Sequence, residues 1–206
     1  MCGVIGLDLK DVSESDIDSI RSLFHETQIR GRHATGVSFL KFGKITTLKE
    51  ALPADEFLSL YDPLDWVDEN GNISAIAHCR YSTSDLRYNQ PIADSSVSIV
   101  HNGVISQELP ERWEELYGIN CETANDSELL FHKPDLESWG NSSISALLLN
   151  SDGIKYLKNG KRPLWIGKAN TNGVVYSSTR DILKRSSFTF SSIYRVECGF
   201  GDDLQP

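Results

Sequence analysis

Apolar residues recur along this chain mostly in short runs with strand spacing, interrupted by a few stretches with helical spacing. Residues 2 to 9 alternate weakly and predict a first strand. Ser13 to Asp16 then offer caps for a helix that carries Ile17, Ile20, Leu23 and Phe24 on one face. That helix runs out at Arg30-Gly31, and 36–42 with 45–48 read as a hairpin around Gly43. A second helix is expected from Ala54 to Tyr61, and the apolar run Ile73 to Cys79 reads as a buried strand between surface loops and the cluster His78-Cys79-Arg80. A short strand over 97–100 runs into His101-Asn102-Gly103. Helices are predicted over 108–117 and 126–132, the latter capped by Asn125 or Asp126. Strands follow at 144–149, 154–157, 164–166 and 174–177. A short helix from Thr179 and two further strands, 188–190 and 194–196, complete the pattern. Many strands, few helices and a mixed order point to an α+β fold with packed sheets.

With 206 residues the chain fits one domain, 1–206, with room for a two-layer core. The formal net charge of -9 argues against a nucleic-acid partner, because phosphate binding requires a basic footprint. A small polar ligand or a protein partner fits better. No apolar run reaches the length of a membrane span, and the start lacks the features of a signal peptide, so no membrane association and a cytoplasmic location are expected. Cysteines 2, 79, 121 and 198 form no CxxC pair and no metal spacing with histidine, so neither a metal site nor a disulfide framework is expected.

Cys2 changes this picture, because it stands directly behind the initiator methionine. Removal of Met1 would leave a thiol and a free α-amine on one residue. With ordinary values near about 8 for the amine and about 8.5 for the thiol, the neutral amine can take the thiol proton. Taken alone, Cys2 reads as a small buried hydrophobe in a first strand. Four polar clusters gain meaning beside it. Arg30 to Gly36 is either a basic helix stop or a loop beside the nucleophile. Arg80, at the end of a buried strand, calls for an anion, either a ligand carboxylate or an internal partner. His101-Asn102-Gly103 is a turn signal, and it is also a pair of donors, one side-chain amide and one closely approaching backbone N–H, of the kind that cradles an oxyanion. Asp126-Ser127-Glu128 reads as a charged helix start.

In this order, Cys2-Gly3, Arg30-Gly31 through Gly36, His78-Cys79-Arg80-Tyr81-Ser82-Thr83, Gln90-Pro91, His101-Asn102-Gly103 and Asp126-Ser127-Glu128 resemble class II glutamine amidotransferase domains, which are N-terminal-nucleophile hydrolases. The segment Arg162-Pro163-Leu164-Trp165-Ile166-Gly167, followed by Tyr176-Ser177-Ser178-Thr179, is similar to the later strands of the phosphoribosylpyrophosphate amidotransferase branch. The resemblance covers roughly residues 2 to 185. It implies a four-layer αββα sandwich of two antiparallel sheets between helices, and removal of Met1. It implies that Cys2 attacks the side-chain amide of L-glutamine to form a γ-glutamyl thioester, with its own α-amine as base and acid. By the same resemblance Arg80 holds the substrate α-carboxylate with Thr83 nearby, and Asp126 pairs with the α-ammonium group. Asn102 and Gly103 form an oxyanion hole, at about 3 kcal/mol per donor, and Arg30 braces the loop over the nucleophile. His78 and His101 are expected to be structural, satisfied by backbone. This chemistry requires no metal or organic cofactor.

The departures also carry expectations. Ser84-Asp85 replaces the histidine or glycine common after the arginine motif, and the stretch between Glu128 and Ile144 is short, so one helix of the architecture is expected to be truncated. Only the tail Cys198 to Pro206 remains after the glutaminase-like part, too little for a synthase domain, so the ammonia acceptor is expected on a separate synthetase or ligase chain. A stand-alone hydrolase of γ-glutamyl amides or peptides is the second expectation, and a non-catalytic regulatory subunit the third.

Overall fold

The computed structural model describes residues 2–81, 89–140, 142–170 and 172–201. Twelve strands and five α-helices lie among the described residues, and every strand pairing there is antiparallel.

The first sheet has the order β11 (Phe190–Arg195), β9 (Trp165–Ala169), β10 (Gly173–Ser177), β1 (Gly3–Leu9), β4 (Ile73–Arg80), β2 (Ala34–Lys41) and β3 (Lys44–Glu50). The second runs β12 (Gly199–Gly201), β8 (Gly153–Lys158), β7 (Ser143–Asn150), β6 (Ser98–Val104) and β5 (Ile92–Ala93). Strand β1 is thus central, flanked by β4 and β10. That position accounts for its near-continuous burial, where a half-exposed strand would alternate.

Alternation along β1 and β4 sends side chains to two different layers. Ile5, Leu7 and Leu9, with Ala75, Ala77 and Cys79, face α1 (Glu14–Thr27), α2 (Ala54–Leu60) and α5 (Arg180–Arg185), and pack on Ile17, Ile20, Leu23, Phe24, Phe57 and Leu183. Val4 and Ile76 point the other way and meet Val100, Leu147, Leu149, Ile166 and Tyr176 between the sheets. The outer face of the second sheet carries Ile99, Ile144, Ala146 and Leu148 against Leu129 and Leu130 of α4 (Ser127–His132) and Trp113 of α3 (Trp113–Tyr117). Helices, sheet, sheet, helices is the four-layer order, and the chain has the αββα sandwich the resemblance implies.

Local chemistry explains the elements. Ser13 and Asp16 form a capping box: Ser13 Oγ accepts from Asp16 N at 3.3 Å, and Asp16 Oδ2 accepts from Ser13 N at 2.9 Å. Burial of Ile17, Ile20, Leu23 and Phe24 then contributes about 1.5–3 kcal/mol each. Some boundaries differ from the sequence expectations. The helix expected over 108–117 is a 3-10 turn at Pro110–Arg112 followed by only five α-helical residues, and Pro110 keeps Leu109 extended, at φ -64° and ψ 141°, so no helix begins before it. The strands expected at 188–190 and 194–196 are one edge strand, β11, carried across exposed Ser191 and Ser192 with a register shift between Phe190 and Ser192. The hairpin turns at Phe42 and Gly43, both at positive φ, so Phe42 lies in the turn and not in the strand. The short pieces β5 and β12 carried no periodic signal.

Candidate functional site

One end of the sandwich gathers the start of β1 with the ends of β4 and β10 and the start of β9. From the other sheet it gathers the end of β6, the start of β7 and the end of β8. Register places the residues. Gly3 lies opposite Cys79, which sets Cys2 beside Arg80 on adjacent strands, on the face that meets the second sheet. From that sheet Asn102 faces inward, on the same face of β6 as the inter-sheet residue Val100 and, like Val100, opposite β7.

The Cys2 end of β1 is held at two points. Arg30 Nε donates to Cys2 O at 2.8 Å, and Ser178 Oγ accepts from Val4 N at 2.7 Å while Ser178 N donates back to Val4 O. Cys2 itself is half-buried, its Sγ 3.9 Å from Tyr81 O. The turn at Gly31 presses on the backbone of Arg80 and Tyr81 so closely that a Cβ there would collide with both residues, so glycine is required for this approach. His33 N donates to Arg80 O at 3.1 Å, and its ring lies 5.2 Å from that of Tyr81. The cluster from Arg30 to Gly36 therefore packs along the end of β4.

Arg80 Nη1 donates to Asn89 Oδ1 at 2.8 Å. Residues 89–91 form a strap joining the two sheets. Asn89 meets Arg80 on the first sheet. Gln90 Oε1 accepts from His101 N at 2.5 Å and Gln90 Nε2 donates to His101 O at 3.1 Å on the second. Strand β5 ends its pairing with β6 at Ile92 and Ile99, so Gln90 supplies with its side chain the two ladder bonds that a longer β5 would have made with its backbone. Lys49 Nζ ties the strap down by donating to Asn89 O and Pro91 O, each at 3.2 Å, and burial pulls the Lys49 ammonium below its ordinary range. Sequence reasoning missed Asn89 and Lys49. Ser178 and Gln90 stood in quoted motifs without a role.

The end of β6 is richer in free donors than a plain turn. Residues 101–103 lie inside the strand and not beyond it. Ile144 N donates to Asn159 O and Asn159 N to Ile144 O, so both backbone groups of Ile144 are engaged away from β6. Its partner Gly103 is then in a non-hydrogen-bonded pair, and the Gly103 N–H points away from β7. A Cβ on Gly103 would strike the Ser143 carbonyl. Asn102 is buried, and its Nδ2 has no hydrogen-bond partner among the described residues. A buried amide donor left in this state costs about 1–3 kcal/mol.

The histidines differ from expectation. His78 is buried between the sheets, and neither ring nitrogen makes a hydrogen bond of good geometry among the described residues, the backbone contact with His101 being the smallest influence on it. Burial, then the neighbouring charges of His101 and Arg80, hold it down to about 3, so the ring is neutral. His101 turns to the helix side, where Nδ1 lies 3.1 Å from Ser127 Oγ; burial pulls it below its ordinary value.

Asp126 stands at the start of α4, where its Oδ2 accepts from Ile105 N at 2.6 Å and fixes the chain leaving β6. It makes no side-chain cap. Asn125 takes that role by accepting from Ser127 N at 3.0 Å. Glu128 is engaged in structure: its carboxylate accepts from Glu122 N, Thr123 N and Thr123 Oγ1. Burial pushes this carboxyl up, but those bonds together with His132 hold it below its ordinary value. The structure thus brings Cys2, Arg30, Arg80, Asn102, Gly103 and Asp126 to one end, while Thr83 lies outside the described residues. Among the described residues no group of three His, Cys, Asp or Glu is arranged to hold a metal ion, and no helix is long and apolar enough to cross a membrane. All four cysteines are free.

No protein-family model and no curated protein sequence matches the chain. Among solved structures it is similar to glutamine phosphoribosylpyrophosphate amidotransferase from B. subtilis complexed with ADP and GMP, at a TM-score of 0.69 and 23% identity over 96% of this chain and 46% of that one. A structure described as the allosteric regulatory enzyme of purine biosynthesis gives a TM-score of 0.69 and 22% identity over the same shares. A glutamine aminotransferase class-II domain protein from Silicibacter pomeroyi gives 0.55 and 12% over 100% of both chains. The chain therefore spans about half the length of the first two, and what it shares with them is the fold.

Proposed function

We propose that this chain is a glutamine amidohydrolase that works from an N-terminal Cys2 and supplies ammonia to a separate synthetase or ligase. In this reading Met1 is removed and the Cys2 α-amine takes the thiol proton. Sγ then attacks the glutamine side-chain carbonyl, ammonia leaves with the returned proton, and water hydrolyses the γ-glutamyl thioester. Arg80 and Asp126 receive the substrate α-carboxylate and α-ammonium, with Thr83 nearby. Asn102 Nδ2 and Gly103 N–H receive the oxyanion, and Arg30 holds the Cys2 carbonyl.

The observation that carries this reading is the pair of donors at the end of β6. One is a buried side-chain amide with no partner among the described residues, and the other is a glycine N–H turned out of the ladder. A developing oxyanion is the chemistry that rewards such donors. The solved structures named above support the reading through the shared fold.

The test is intact mass of the purified protein together with glutamate and ammonia release from L-glutamine, with and without co-purifying protein. Loss of Met1 and turnover that rises when the partner is present are expected. A processed chain that releases no ammonia under either condition is the non-catalytic regulatory subunit, and the proposal is wrong.

A further inference from the structure

The motif Arg162 to Gly167 takes no part in the reading above, yet its arginine sits at the same end of the sandwich. Arg162 N donates to Ser143 Oγ at 3.2 Å, and Ser143 lies opposite Val104 with its carbonyl against Gly103. Arg162 is half-buried, and its charge pulls down both Arg30 and His101. Among the described residues neither Arg30 nor Arg162 forms a salt bridge with a carboxylate. Two half-buried arginines whose charges oppose one another, in a chain whose net charge is -9, form an arrangement that an anionic ligand stabilises. Burial and Arg162 both pull the Arg30 guanidinium down, while Cys2 pulls it up.

Topology says which part of a substrate reaches Arg162. Arg80 ends β4, on one side of β1. Arg162 lies in the loop that enters β9, beyond β10 on the other side. A γ-glutamyl group with its α-carboxylate toward Arg80 and its carbonyl over Cys2 directs its leaving group toward Arg162.

We infer that the region around Arg162 is a subsite for a carboxylate on the leaving group, so that γ-glutamyl amino acids are substrates alongside glutamine. This rests on the proposed Cys2 chemistry. Cys2 Sγ bonds to the γ-carbonyl carbon and the C–N bond breaks. The thiol proton passes to the departing nitrogen, and the free amino acid leaves with its carboxylate last held by Arg162. Water then cleaves the thioester to glutamate and the thiol.

The experiment compares kcat/KM for γ-glutamylglycine and its neutral isostere γ-glutamylglycinamide, in the native chain and in Arg162→Gln, with Arg162→Met as the second variant if the first does not fold. The native ratio is expected to favour the carboxylate by about tenfold, the size of one charge-assisted hydrogen bond, and to fall toward one in either variant. A native ratio near one, or a ratio the variants leave unchanged, overturns the subsite and leaves glutamine hydrolysis standing. If no γ-glutamyl compound is turned over, the proposed function fails. The subsite is then decided by alkylation of Cys2 with iodoacetate against iodoacetamide, normalised to exposed Cys198. A preference of Cys2 for the anion that Arg162→Gln lowers severalfold supports it, and equal ratios in both chains overturn it.

Discussion

Cys2 and Cys79 lie at the ends of neighbouring strands, one residue apart in register, and their surroundings are opposite. Cys79 points to the helix layer. It is fully buried there, its thiol pushed up to about 12 by burial and, in smaller part, by the charges of Cys2 and Asp55. Cys2 points to the second sheet, half-buried, with Arg30 on its carbonyl and Arg80 on the next strand. The same side chain is a core hydrophobe on one face of the sheet and a candidate nucleophile on the other. What separates them is the face of the sheet that strand parity assigns to each.

The sharpest way to break this contrast is to remove each thiol in turn. Cys2→Ala is expected to lower glutamine turnover by at least about 10⁴-fold. Cys79→Ala is expected to keep turnover and to lower stability by about 1 kcal/mol for a small cavity, read by urea denaturation. Comparable losses of turnover in both would mean that the faces do not differ in function.

Next in size is the partner face. Asn102→Leu removes the orphan donor and is expected to cut kcat by about 10²–10³-fold with little change in stability, since no hydrogen bond among the described residues is lost. A stability loss without a kcat loss would make Asn102 a packing residue. Gln90→Leu acts one step further out. Losing both bonds to the His101 backbone is expected to destabilise by about 1–3 kcal/mol. It is also expected to lower kcat more than it raises KM, because the end of β6 is then free to shift.

The effect furthest from turnover is a pH slope. His78 is neutral in the folded protein down to about 3 against an ordinary 6.5, so the unfolded chain binds the extra proton between these values. Its contribution is fully present above pH 6.5 and is lost as pH falls toward 3, at up to about 1.4 kcal/mol per pH unit. His101 acts in the same direction. In His78→Asn the stability measured across this range is expected to flatten by one proton, and an unchanged slope would assign the proton elsewhere.

Much of this molecule was legible from residue order. The strands 73–79, 144–149 and 174–177 follow from apolar runs bounded by polar clusters, and α1 follows from its capping box and apolar stripe. Residues whose meaning depends on cross-strand register were not legible. The strap over 89–91 works through side-chain bonds between sheets, which leave no periodic trace, so Asn89 and Lys49 went unnoticed. The cap of α4 was read as Asn125 or Asp126, and it is Asn125, because the Asp126 carboxylate is directed to the backbone of Ile105, a residue 21 positions earlier. Conversely, Cys2, Arg30, Arg80, Asn102 and Gly103 were singled out by the resemblance, and their assembly at one end of the sandwich depends on pairings that residue order alone does not give.

The central claim is that Cys2 becomes acylated by glutamine. Acid quenching of the processed protein during turnover, followed by mass analysis of its N-terminal peptide, tests this directly. The account predicts a mass increment of one γ-glutamyl group on Cys2, released by hydroxylamine and absent in Cys2→Ala. An unmodified Cys2 while glutamate is still being formed would contradict it.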